Sequence, residues 1–143
     1  MERGLSSVGA SIPVGASPAI RTAAVMYVAL GVGFGVGTAI SLVLFARDGQ
    51  LPMTPWGFRA LEGPVTASGS GPIFVLGGLL VVVCALDVVA GTWLWHGRRR
   101  GGVLGLATTA PALALGAAFA LPFLLIGVPI RSVLVVAGWR GLR

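Results

Sequence analysis

The stretch VLGLATTAPALALGAAFALPFLLIGVPIRSVLVVAG, residues 103–138, decides how this chain folds. It is apolar apart from Thr108, Thr109, Arg131 and Ser132. As a single α-helix of 36 residues it would run roughly 54 Å, well beyond the ~30 Å hydrocarbon core of a bilayer. Two divisions are open. One places a hairpin near Ala118–Pro122, with Pro122 opening a further helix, a position that suits proline. The other places one span over 103–126, a break at Gly127-Val128-Pro129, and then a short interfacial or re-entrant helix.

Upstream, IFVLGGLLVVVCALDVVAGTWLW (residues 73–95) is long enough to span and holds one charge, Asp87. The run from Ile20 to Phe45 is interrupted only at its start, by Arg21 and Thr22. A secretory signal has an apolar core of about 7–15 residues, so this longer run reads as a transmembrane helix that is kept. Residues 1–19 are rich in Gly, Ser, Ala and Pro without periodicity and read as a flexible tail. Between the first two spans lies a polar connection, residues 46–72. Within it Thr54-Pro55 is a helix start signal, with Trp56, Phe58 and Leu61 following. A short interfacial helix over 55–62, ended by Gly63-Pro64, fits this pattern, with an ordinary solvated turn as the other reading.

Composition excludes the alternatives to a membrane protein. The chain has 143 residues, 56% apolar and 10% charged, with a mean hydropathy of +0.97. A soluble domain carries about 25% charged residues, and a disordered chain needs low hydrophobicity and high charge. The expected fold is therefore all-α: one membrane domain over 20–143, an integral bundle of four transmembrane helices near 22–45, 73–95, 103–119 and 122–139. The alternative is three spans plus a short C-terminal interfacial or re-entrant helix. In hydropathy and length alone, the layout resembles small four-helix membrane proteins of GC-rich bacteria, the DoxX-like ones among them. That resemblance carries over no functional residue.

Arginine sets the topology. All ten basic residues are arginine and none is lysine, in keeping with a GC-rich genome and a bacterial inner membrane. Positive charge favours the cytoplasmic side. Four spans with both termini inside put Arg3, Arg21, Arg98, Arg99, Arg100, Arg140 and Arg143 inside and Arg47 and Arg59 outside, seven against two. Three spans give five against five, so the rule prefers four. The expected location is the cell membrane, multi-pass, with cytoplasmic N- and C-termini. Although the pI is near 11.6, the arginines are spread between apolar runs. Arg98, Arg99 and Arg100 are expected to anchor topology and meet anionic lipid headgroups rather than nucleic acid.

Asp87 is the most informative residue. A carboxylate within a span costs about 2.5–3.5 kcal/mol on insertion scales, so it faces protein or water and takes a partner. Arg131 is the basic residue placed deep in another span. Asp87 lies 11 residues before Arg98, roughly 16 Å along a helix. Arg131 lies 9 residues before Arg140, roughly 14 Å from the same boundary. Opposite charges at matched depth are expected to pair between the second and fourth spans. Thr108 and Thr109 fall at a similar depth on the third span and would complete an intramembrane polar layer.

The first span carries Gly31, Gly33, Gly35 and Gly37, two overlapping G-x-x-x-G pairs that let another helix approach closely. Packing within the chain is the expected use, with self-association as the other. The string lacks a dinucleotide fingerprint, since position 36 is valine. Enzyme chemistry is poorly supplied. His96 is the sole histidine and Cys84 the sole cysteine, with no catalytic set or metal-ligand spacing. No cofactor or metal is expected, and Cys84 reads as a small buried hydrophobe. The sequence thus points to a non-enzymatic structural or accessory membrane subunit, with the bilayer and a homo-oligomer or membrane protein as partners. The alternative is a small oligomeric transporter or proton-coupled carrier that uses the Asp87–Arg131 pair.

Overall fold

A computed structural model describes residues 17–54, 57 and 59–142. Five α-helices make four columns: α1 (Pro18–Asp48), α2 (Ser70–Trp95), the broken pair α3 (Arg99–Ala107) and α4 (Thr109–Ala118), and α5 (Pro122–Ala137). Each column packs on the next and α5 closes back on α1. Three columns, α1, α2 and the α3–α4 pair, are long and apolar enough to cross a membrane, and α5 is a shorter apolar helix. The hairpin division of residues 103–138 therefore holds. Past the turn at 119–121, α5 packs back on α4 and against α1.

Local chemistry explains each boundary. Helix α1 begins at Pro18, inside the expected tail, because the Ser17 hydroxyl accepts from the Ile20 amide and proline occupies the first turn. Residues 1–16 of that tail lie outside the described residues. Helix α2 ends in a Schellman turn, with Gly97 at φ 70° and the Arg98 amide donating to the Trp93 carbonyl. The α4–α5 turn has the same form. The Leu121 amide donates to Gly116 and the Ala120 amide to Ala117, but the left-handed residue is Ala120, at φ 48°. The third column breaks at Thr108 because Pro111 cannot donate to the Ala107 carbonyl and its ring crowds it.

The connection before α2 differs from expectation. No helix occupies the described part of 55–62. Met53 and Arg59 form an antiparallel bridge, and the Ala60 amide donates to Pro52. Gly57, at φ 83°, turns the chain by donating to Thr54. The glycine at the tip lets the backbone double back where a helix would have run on. Pro55, Trp56 and Phe58 of the expected helix lie outside the described residues. A 3-10 turn, Pro64–Ser68, then leads into α2. Gly63 sits against the Ala118 carbonyl and Phe119, so the connection docks on the α4–α5 turn.

Two apolar clusters fill the bundle. One, toward the α4–α5 turn, includes Leu80, Val83, Ala112, Leu115, Phe119 and Val128. The other, toward the termini, includes Ile20, Ala23, Ala90, Leu94, Val135 and Leu142. The chain ends meet at that second end, where the Ser17 side chain lies against Gly138 and Arg99 Nε donates to the Leu142 carbonyl.

Candidate functional site: a buried polar layer

The buried face of α2 runs through Leu80, Val83, Asp87, Ala90 and Leu94, a three-four spacing that keeps one helix stripe against its neighbours. Asp87 sits in the middle of this stripe, between the two apolar clusters. On α5 Arg131 holds the same position between buried Val128 and Val135. The structure brings the two together, with Arg131 Nη1 2.6 Å from Asp87 Oδ2. Arg131 is 0% exposed and Asp87 4%.

The other carboxylate oxygen is taken by the third column. Thr108 Oγ1 donates to Asp87 Oδ1 at 2.6 Å. It also lies 3.0 Å from the Gly105 carbonyl, but a hydroxyl has one proton, and the charge-assisted acceptor is the stronger claim on it. Thr109 faces the opposite way, toward α5. Its Oγ1 lies 2.9 Å from the Gly105 carbonyl and 3.0 Å from Ser132 Oγ, and Ser132 in turn reaches the Val128 carbonyl at 2.8 Å. The two threonines thus tie the helix break at 108 to both α2 and α5.

Tyr27 completes the layer from α1. Its ring is wholly buried, and the Arg131 guanidinium carbon lies 4.1 Å from the ring centroid. That is a stacked cation–π contact, which suits a planar guanidinium. Gly105 makes room for it, since a Cβ there would come 2.6 Å from the Tyr27 hydroxyl. The Tyr27 hydroxyl and Arg131 Nε and Nη2 are buried without a hydrogen-bond partner among the described residues. Tyr27 is the one tyrosine in the chain. An aromatic with a polar tip inside an otherwise apolar span was the available signal for it, and depth matching between charged residues does not detect it.

The remaining candidates separate. Gly31 and Gly35 face α2: a Cβ on Gly31 would lie 2.7 Å from the Cys84 carbonyl oxygen, and one on Gly35 3.1 Å from Cys84 Cβ. Gly33 and Gly37 face outward, with nothing within 4 Å of a Cβ. Of the three arginines after α2, Arg99 is turned toward Leu142 of its own chain, and all three are exposed. Cys84 is buried. No family model, no curated protein and no solved structure matches the chain, so the reading of the layer rests on its own geometry.

As chemistry, the layer is an ion pair with both carboxylate oxygens engaged and the guanidinium engaged through one of its three nitrogens. Among the described residues no three His, Cys, Asp or Glu side chains gather as a metal site.

Proposed function

We propose that the protein is a non-enzymatic structural or accessory membrane subunit, with four crossings and both termini on the arginine-rich, cytoplasmic side. In this reading the Asp87–Arg131 layer is a register lock. One observation carries it: the two charges that lie inside the spans meet each other while sealed between apolar clusters, with neither exposed by more than 4%. A pair closed off in this way fixes which turn of α2 faces which turn of α5. An uncompensated charge at that depth is costly, so a slipped register is excluded. The carrier reading draws on the unpartnered donors of Arg131 and Tyr27 and requires water to reach them.

The lone cysteine is a natural probe between the two readings, because Cys84 lies one helical turn from Asp87. In native membranes a charged, membrane-impermeant thiosulfonate should leave Cys84 unmodified until detergent denaturation exposes it. Rapid modification of the native protein would sink the lock and favour a water-filled route.

A further inference from the structure

The two ends of the bundle carry different charge. The end where the chain termini meet holds Arg21, Arg98, Arg99, Arg100 and Arg140, and among the described residues no acidic side chain stands there. At the other end Arg47 and Arg59 are matched by Asp48 and Glu62. The basic end also has a shape. A groove of about 340 Å³ runs between α1 and α2 on the outer surface, lined by Val25, Val28 and Ala29 on one wall and Gly91, Trp95 and His96 on the other. Its walls come close at the floor because Gly91 has no Cβ, where one would lie 2.8 Å from Val28 Cγ2.

Two of the polar side-chain atoms near the groove are turned back on α2 itself. Thr92 Oγ1 donates to the Val89 carbonyl, and His96 Nδ1 donates to the Thr92 carbonyl at 2.7 Å. What remains along the groove is hydrocarbon. At its mouth, Arg21 lies one turn before Val25 on the same face of α1, whereas Arg98 turns back over Trp93 toward α3. Trp95 is 54% exposed at that level, the depth at which indole rings meet headgroups.

We infer that this groove seats one acyl chain of an anionic glycerophospholipid, whose phosphate is held at the mouth by Arg21. The occupant is set by charge complementarity: an apolar slot with Arg21 at its mouth, on the basic end of the bundle, takes a molecule that is apolar along its length and anionic at its tip. The inference rests on the membrane-spanning reading of the bundle and not on the role of the polar layer, so the Cys84 experiment and this one fail independently.

Native mass spectrometry of the full chain, released from vesicles of equal phosphatidylglycerol and phosphatidylcholine with matched acyl chains, tests it. One phosphatidylglycerol should be retained in preference to phosphatidylcholine. Arg21→Gln should weaken retention about fivefold, the worth of one arginine near an anionic surface. Ala29→Phe, which fills the slot at an exposed position, should remove retention while circular dichroism stays unchanged. Equal retention of the two lipids would overturn the site. So would displacement of the lipid by inorganic phosphate alone, which would mean that the acyl chain adds nothing. A lipid-free dimer that Ala29→Phe splits would also overturn it, by giving the groove to a second copy.

Discussion

The two sides of α2 hold their neighbours by different means. Toward α1 the contact is one of shape. Gly31 lets the Cys84 carbonyl and Val88 approach, and Gly91 lets Ala24 and Val28 approach, with no charge in the seam. Toward α3 and α5 charge is added to shape: Gly101 lets the α2 backbone approach at Ala90 and Leu94, and Asp87 is bound by Arg131 and Thr108. Lipid tails are as apolar as leucine, so burial of apolar surface does not drive helices together in a membrane. Close packing and polar contacts do. The seam made by shape is tolerant of depth but intolerant of bulk. The layer made by charge is tolerant of neither a lost partner nor a shift along the axis.

The largest effect that can break this contrast comes from the charged side. Arg131→Leu leaves Asp87 buried without its cation and should cost about 3–5 kcal/mol, read as lost accumulation and early thermal unfolding in detergent. Combining it with Asp87→Leu should recover most of that loss, because a well-packed apolar pair replaces an ion pair at little cost. Losses that simply add would mean that the two residues act separately. On the side held by shape, Gly31→Ala pushes a methyl against the α2 backbone and should cost about 1–3 kcal/mol in the same unfolding assay.

A smaller effect comes from the turn between α4 and α5, which lies outside both contacts. Ala120→Gly should raise stability by about 1 kcal/mol by relieving the left-handed alanine, and the Gly97 turn at the other end of the bundle shows the residue that fits there. The smallest changes are expected on the outward face of α1. Gly33→Ala and Gly37→Ala meet nothing and remove a glycine from a helix interior, so each should be neutral or stabilise by about 0.5–1 kcal/mol. A sharp loss of assembly from either would show that the outward glycines pack against another chain.

Much of the layer is legible in the sequence. Asp87 and Arg131 announce themselves because charge is scarce within the spans, and counting residues to the nearest arginine boundary puts them at matched depth. Thr108 and Thr109 follow from the same count. Tyr27 does not, because its contact with Arg131 depends on how α1 rotates about its axis. The four glycines of α1 were legible as a close-packing surface, but their division into an inward and an outward pair was not, since alternate positions on a helix point well apart and the string alone favours no side. The connection before α2 misled for a local reason: Thr54-Pro55 is a sound helix start, and Gly57 turns the chain before a helix can form.

By itself, the sequence determined that this is a bundle of apolar helices for a bilayer, and that one acid and one arginine lie too deep to remain alone. Those conclusions follow from solvation and helical rise, which act residue by residue. The tertiary structure decided which glycines meet α2, which threonine reaches the carboxylate, that Tyr27 stacks on the guanidinium, and that the arginines gather at one end above an apolar groove. These depend on the rotation of each helix about its axis. Only mutual packing fixes that rotation, because in apolar surroundings every face of such a helix is equally well solvated.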